Sequence, residues 1–380
     1  MSLKDIITKD ILDSNRKRNE NTRSVAIYLN TLPADSAAGK QKIKIMQAFA
    51  KPIASDPAFE LTMVNPIPTQ AAKIAKRMGE RFKVYDTEFS FSFGYHFSPN
   101  PAALRSMLRK DLTAKHEQDR KIWYTDANPF NCYEKKIGYG KTNKERVRIV
   151  YGNIYPDKAE YFNKNSPSDR WEKISKEYGV ELKPWQSIKP ITPYFDRGFI
   201  YVCGNRGSSG YSAFGKNAAD WMIQKALKIM KVTKRSIILR QHPANRIPTY
   251  ERDKRVLDEF AAQSNGRVKI QSPTAWYPDH IENIRDCHCV VVFTSTAAAP
   301  AIIEGKPIFV EHPSSYMYSM SSGSKNNAGP HAGIKNIEDP YLGVDRQQWL
   351  NDYAYAHWSI KELERGEYWK RIRSQILSFS

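Results

Sequence analysis

Acidic residues are the scarce charge in this chain: 40 Asp and Glu stand against 59 Lys and Arg in 380 residues, a formal net charge of +19. A deficit of that size disfavours a cationic partner and favours a polyanionic one, nucleic acid first and an anionic membrane surface second. The competing reading is a basic enzyme whose charge only aids solubility. Cysteine is scarce too. The four present, Cys132, Cys203, Cys287 and Cys289, exclude a disulfide scaffold, and Cys287-His288-Cys289 is too tight for a zinc knuckle and has no second pair. They read as reduced thiols. No apolar run is long enough to span a bilayer, and Met1 to Thr22 is charged throughout without the apolar centre of a signal peptide. The expectation is a cytoplasmic protein with no integral membrane segment. No Asp-x-Asp run sits at an expected strand end, which argues against a tightly held divalent ion and leaves metal dependence open.

What is present is globular: 41% hydrophobic against 26% charged residues, with length enough for two ordinary domains. Residues 1–22 read as a polar arm. After it, short β-branched or aromatic runs at 24–29, 61–64, 82–85, 121–125 and 147–154 alternate with helical periodicity at 40–53, 70–78, 101–116 and 168–178. Prolines 184, 190 and 193 punctuate a linker over 182–195. The alternation then restarts, with strands at 199–203, 236–239, 268–270, 289–293 and 307–310 and helices at about 217–230, 250–263, 279–285 and 296–304. Such a chain predicts an α/β protein of two doubly wound, Rossmann-like domains facing each other across a cleft, each on a parallel sheet. The expected division is 1–188 for the acceptor domain, 189–345 for the nucleotide-sugar domain and 346–380 for C-terminal helices that cross back to the first domain. The Ser-, Gly- and Asn-rich stretch 311–340, which carries His331, reads as a long loop placed to cover the cleft.

The run from Phe199 through Gly204-Asn205-Arg206-Gly207-Ser208-Ser209-Gly210 to Lys216 stands out. An apolar strand stops at Gly, passes through small residues and re-emerges as a helix, which makes a seat for phosphate: free N–H groups, a positive helix end and a forked cation in Arg206. A flexible surface loop with one Arg is the competing reading. The run matches neither GxGxxG nor GxxxxGK[ST], so a dinucleotide or ATP is not the first expectation. Two further strand ends bear anion-friendly groups, Arg240 with His242, and Thr294-Ser295-Thr296, although a Thr-Ser-Thr run is ordinarily an N-cap. Asp126 ends the strand at 121–125 and is the candidate general base, against its commoner fate as a turn residue before Asn128-Pro129. Asp35 and His96, on other loops expected to open on the cleft, are the alternative bases.

The runs Phe91-Ser92-Phe93-Gly94, Pro99-Asn100-Pro101-Ala102-Ala103-Leu104, and Lys121 to Asp126 with Pro129-Phe130 resemble the acceptor-domain core of bacteriophage DNA β-glucosyltransferases. Cys203 to Gly210 resembles the donor loop of the same family. The resemblance implies the GT-B architecture, Asp126 as catalytic base and Arg206 on the donor diphosphate. It covers two zones about 70 residues apart and lapses in the last third, where the family's ribose-binding Glu is replaced by Ala298-Ala299-Pro300-Ala301. There, Arg240-Gln241-His242-Pro243, Phe293 to Ala297 and Glu304-Gly305-Lys306-Pro307 resemble motifs of capsule-type sialyl and Kdo transferases, which use CMP-sugars. The resemblances imply a monomeric inverting glycosyltransferase with no tightly bound cofactor. It would take a UDP-sugar, or alternatively a CMP-sugar, and act on double-stranded DNA carrying 5-hydroxymethylated pyrimidines. The alternatives are transfer to a capsule or lipid-linked glycan, and a non-catalytic nucleic-acid-binding protein.

Overall fold

A computed structural model describes residues 23–29, 37–64, 89–93, 122–127, 129–133, 146–151, 164–186, 197–205, 217–242, 247–271, 278–313, 315–323 and 333–378. The arm over 1–22, the strand expected at 82–85, the helices expected at 70–78 and 101–116, and His331 lie outside them.

The first sheet holds six strands: β1 (Arg23–Leu29), β2 (Phe59–Val64), β3 (Phe89–Phe93), β4 (Ile122–Ala127), β5 (Arg146–Tyr151) and β11 (His357–Ser359), in the order β11-β5-β4-β3-β1-β2. β1 pairs in parallel with β2 and β3, and β3 with β4. The sheet is not parallel throughout, as the strand–helix alternation suggests. β5 runs antiparallel to β4, and β11 antiparallel to β5. An antiparallel neighbour needs no crossover helix, and side-chain alternation is the same in either direction, so the pattern of residues carries no sign of the reversal. Helix α1 (Ala37–Ala54) buries Ile45, Ala48, Phe49 and Ile53, the spacing of one helical face.

The C-terminal residues fold onto this sheet. After helix α7 (Arg346–Ala354) the chain forms β11, then α8 (Ile360–Glu364) and α9 (Glu367–Ser378), so a strand stands among the helices expected there. Trp369 packs edge-on against Phe59 at 4.8 Å, and its Nε1 donates to Asp56 Oδ2 at 2.9 Å. Beneath α8, the buried Glu362 carboxylate meets Arg146 (3.2 Å), Arg170 (3.3 Å) and Lys173 (2.6 Å), which binds β5 and α2 (Asp169–Tyr178) to the chain's end.

The second sheet is wholly parallel. Its strands are β6 (Ile200–Cys203), β7 (Ile237–Arg240), β8 (Val268–Gln271), β9 (Cys289–Val292) and β10 (Ile308–Val310), ordered β10-β9-β6-β7-β8. Alternate side chains point to opposite faces. Ile200, Val202, Ile237 and Leu239 pack with α3 (Ala218–Met230) and α4 (Ile247–Ala262). Tyr201, Cys203 and Ile238 pack with α5 (Pro278–Asp286) and α6 (Ala299–Ile303), in an apolar cluster that also holds Phe130, Trp171, Ile174 and Tyr178. That cluster takes side chains from both sides of residue 188. All four cysteines are free and buried.

Two stretches expected to be irregular are tied down where they are described. In the linker, the Lys183 N–H donates to Ile303 O and the Gln186 N–H to Gly305 O, both at 2.9 Å, while Arg346 lies 3.9 Å over Trp185 and donates to Lys183 O at 2.8 Å. The expected cover loop over 311–340 is in its described parts built into the fold. Met317 and Ser321 are fully buried, and the Ser321 hydroxyl accepts from Val310 N at 2.8 Å. That contact satisfies a backbone donor at the edge of β10. Tyr316, Met317 and Met320 supply the apolar surface that holds the segment inward.

Candidate functional site

In chain order β6 is the first strand of the second sheet, yet it lies between β7 and β9. The connections out of β6 and toward β9 diverge there, and in an open α/β sheet the crevice at such a switch point, at the carboxyl ends, is where ligands bind. The residues at this point are Gly204-Asn205 after β6 and Phe293-Thr294-Ser295 after β9. Asn205 joins them. Its Nδ2 donates to Thr294 Oγ1 at 2.6 Å, and its Oδ1 accepts from Thr294 N at 3.4 Å. Gly204 packs closely: a Cβ there would stand 2.9 Å from Met222 Sδ and displace that side chain, and the Gly204 N–H donates to Arg240 O at 2.9 Å.

The neighbouring elements present their N-terminal ends at this crevice. Asn217 caps α3, its side chain accepting from Ala219 N at 2.9 Å and Asp220 N at 3.3 Å. Ser295 caps the turn over Thr296–Ala298 by accepting from Ala297 N at 3.3 Å. A buried relay holds that turn from beneath: His280 Nε2 donates to Ala297 O at 3.1 Å, and His280 Nδ1 lies 3.3 Å from the Tyr201 hydroxyl, itself 2.8 Å from Gln271 Oε1. Burial, reinforced by the Arg240 charge, pushes the His280 pKa well below its ordinary value. The ring is therefore neutral near pH 7 and keeps the single N–H that the Ala297 carbonyl requires. Cys203, at the end of β6, is pushed up to about 12 by burial, so it is a thiol and not a nucleophile.

The structure thus brings together Gly204, Asn205, Arg240, His242, Thr294, Ser295 and Thr296 of the expected site, with Arg240 buried and His242 half-buried. Arg206, Gly207, Ser208 and Ser209 lie outside the described residues, as do Asp35 and His96. In the first sheet the switch point lies between β1 and β3, the two strands that Asp35 and His96 follow in the sequence. Asp126 is on β4. Because Ser92 pairs with Tyr124, Asp126 stands beyond the level of β3's last residue, Phe93, and in register with Arg148 of β5. The Arg148 guanidinium is buried 4.9 Å from the Tyr316 ring centroid.

Two further polar residues are buried at this site, Gln241 inside the Arg240-to-Pro243 motif and Asp253 outside any motif. Gln241 lies between Arg240 and His242 and is 2% exposed; Asp253, on α4, is equally buried. The signal for Asp253 is its spacing: it precedes Leu257 and Ala261 by four and eight residues, on the face of α4 that packs inward. Among the described residues there is no group of three side chains able to hold a metal, and no helix long and apolar enough to cross a membrane.

No family model and no curated protein matches the chain. Among solved structures, the chain is similar to the β-Kdo 2,7 transferase of Thermosulfurimonas dismutans KpsC, at 14% identity, over 93% of this chain and 100% of that one, with a TM-score of 0.46. The β-Kdo 2,4 transferase of the same KpsC is 10% identical over 88% of this chain and 90% of that one, with a TM-score of 0.44. A glycosyltransferase from Rickettsia africae is 12% identical over 95% of this chain and 100% of that one, with a TM-score of 0.36. Likeness of this degree leaves the functional reading to the chain's own residues.

Proposed function

We propose that the chain is a glycosyltransferase of GT-B architecture that moves a sugar from a nucleotide-sugar to an acceptor hydroxyl. The observation that carries this reading is the switch point of the second sheet, where the Asn205–Thr294 pair, the caps Asn217 and Ser295, and the strand-end residues Arg240 and His242 surround one crevice. Backbone N–H groups at helix starts and a forked cation suit a nucleotide phosphate. The sugar sits between this crevice and the carboxyl ends of the first sheet. The acceptor oxygen attacks the anomeric carbon while Asp126 takes its proton, and the bond to the phosphate breaks with its electron pair leaving on the nucleotide. Arg206 and the loop from Gly204 to Ser209 stabilise the charge that develops there.

The acceptor in this reading is a hydroxymethylated pyrimidine in duplex DNA, supported by the net charge of +19 and by the resemblance of the Asp126 segment to phage enzymes. The target base leaves the stack to reach such a cleft. A second reading, transfer from a CMP-sugar to a glycan, is favoured by one observation: the residues around the second switch point are those of the Arg240-Gln241-His242-Pro243 and Thr294-Ser295-Thr296 motifs.

The test begins with thermal shifts by UDP, CMP and GDP, followed by transfer assays on hydroxymethylcytosine-containing and unmodified duplexes. Asp126→Asn is expected to lose about a hundred- to ten-thousand-fold in rate while keeping nucleotide affinity. If Asp35→Asn or His96→Ala abolishes transfer and Asp126→Asn stays within a few-fold, Asp126 is a turn residue. A fold that no nucleotide stabilises sinks the proposal as a whole.

A further inference from the structure

Asp126, Arg148 and His357 form one row across three antiparallel strands: Asp126 of β4 pairs with Arg148 of β5, and Arg148 with His357 of β11. Directly opposed residues share a face of the sheet, with Cβ atoms about 4.5–5.5 Å apart. The other face carries Val147, Ile149 and Trp358, which pack with the apolar side chains of α1, α8 and α9. The row faces the opposite way, toward Phe130, Tyr353 and Tyr316. The His357 ring lies 5.2 Å from Phe130 and 4.4 Å from Tyr353, and the Arg148 guanidinium lies 4.9 Å over Tyr316.

Arg148 is 3% exposed. A cation at that depth does not contact a nucleic-acid phosphate, and it requires a counter-charge. Of the described charges around the row, Arg146 meets Glu362 at 3.2 Å and also pairs with Glu177, while Arg170 and Lys173 of α2 meet Glu362 at 3.3 and 2.6 Å. His357 is neutral: burial, reinforced by the charges of Arg148, Arg146 and Arg170, pushes its pKa well below the ordinary value, and its Nδ1 donates to Tyr353 O at 2.8 Å. The Tyr316 and Tyr353 hydroxyls lie 3.0 Å apart. The carboxyl residue in register with Arg148 is Asp126. Its two flanks differ, because β3 ends at Phe93, short of the level of Asp126. The chain beyond β4 is held by the turn over Pro129–Tyr133, where Phe130 is 1% exposed.

We infer that Arg148 is the positioning residue for Asp126: its forked guanidinium holds the carboxylate from the β5 side, keeps it ionised, and leaves one oxygen for the acceptor beyond the end of β3. The inference rests on Asp126 as the base in the reading above. Arg148 itself touches neither donor nor acceptor. A cation beside a carboxylate favours its charged form, so the base stands ready to accept a proton across the working pH range. Once Asp126 has taken the acceptor's proton, Arg148 lacks its counter-charge, which drives release of that proton to water before the next turnover.

Carbon-13 NMR titration of carboxyl-labelled aspartates in the full chain tests this, with the Asp126 signal assigned by its loss in Asp126→Asn. Removing a neighbouring cation makes a carboxyl easier to protonate. In Arg148→Met the Asp126 signal is therefore expected to titrate about one pH unit or more above the wild type, and Arg148→Lys, which keeps the charge, should restore most of the difference. A purely structural role for Arg148 would not move that signal. Urea midpoints at pH 7 give a second reading that needs no activity. Arg148→Met and Asp126→Asn each break the pair and should lower the midpoint, and the double variant should lose less than the sum of the two. An Asp126 titration that stays in place, or losses that simply add, overturns the pairing and leaves the nucleotide-sugar reading untouched. Full transfer activity in Asp126→Asn overturns the base reading, and the positioning role with it, even where the titration and the midpoints show the pair.

Discussion

Glu362 is nearly inaccessible, with its side chain 1% exposed, and it gathers Arg146, Arg170 and Lys173 around one carboxylate. Burial alone would raise its pKa. The Arg170 charge, the Lys173 hydrogen bond, the Ser359 N–H and the Arg146 charge outweigh burial and hold it at about 2. A carboxyl depressed in the folded state contributes stability above its unfolded value, near 4.5, and loses it as pH falls toward about 2. The depression is worth about 3 kcal/mol at neutral pH. Glu362→Gln is expected to cost roughly 3–5 kcal/mol at pH 7, because it leaves Arg170 buried without its counter-charge and leaves Arg146 with Glu177 alone. It should also flatten part of the acid limb of a urea-midpoint profile between pH 4.5 and 2, to which Asp56 and Glu304, depressed too, also contribute. A variant within about 1 kcal/mol of wild type refutes this account. None of this cluster is visible as a motif, because its members lie on β5, α2 and α8. Asn205, Arg240 and Thr294 were legible because strand-end residues of an α/β chain can be placed from the strand pattern alone. Asp253 was not, since what marks it is its burial on the inner face of α4, which no motif announces.

At the scale of elements, the turn from α6 into β10 explains how the segment over 182–186 is held. Gly305 has φ +71°, and a Cβ there would meet Pro184 O at 2.1 Å. Its carbonyl accepts from Gln186 N, and the neighbouring Glu304 carboxylate pairs with Lys183 and Arg285. Gly305→Ala is therefore expected to destabilise by more than about 1 kcal/mol and to strip hydrogen-exchange protection from the Lys183 and Gln186 amides. Gly266→Ala is the control: φ is +76° but nothing lies within 4 Å of its added Cβ, so only the backbone cost remains. Equal effects at the two glycines mean that the close approach to Pro184 is unimportant. Four of the five strands of the second sheet are buried on both faces and so read as short apolar runs, as in Cys289-Val290-Val291-Val292, while the edge strand β8 exposes Lys269 and shows itself by Val268 and Ile270 on either side of it. The first sheet was harder. β11 has three residues, His357-Trp358-Ser359, too few to show a period, and its partner lies some 200 positions earlier. β3 shows the alternation Phe-Ser-Phe-Ser-Phe, but the run at 82–85 competes with it for the place of third strand.

For the whole molecule, the summed charge is legible in sequence and its placement is not. Arg146, Arg148, Arg170, Arg235, Arg240 and Lys306 are all buried, so part of the basic excess serves internal pairs and the crevice rather than the surface. The remainder includes exposed cations such as Lys228, Lys231 and Lys234, around the end of α3 and the turn beyond it. Cations of this kind are the ones that can displace counterions from a nucleic acid. If the net charge of +19 reflects contact with duplex phosphates, the logarithm of the affinity for hydroxymethylated duplex must fall linearly with the logarithm of salt concentration, with a slope of about 0.9 for each phosphate neutralised. A slope of magnitude roughly 4 or more, shared by modified and unmodified duplex, is expected, because phosphate contacts position the protein without reading the base. Modified duplex should differ from unmodified only in turnover. Replacing Lys228, Lys231 and Lys234 together by Gln tests whether this stretch takes part: the slope should drop by up to three contacts' worth while nucleotide binding at the second switch point is unchanged. An affinity that does not respond to salt moves the acceptor to the glycan reading, in which the excess charge is a property of the surface and not of the site.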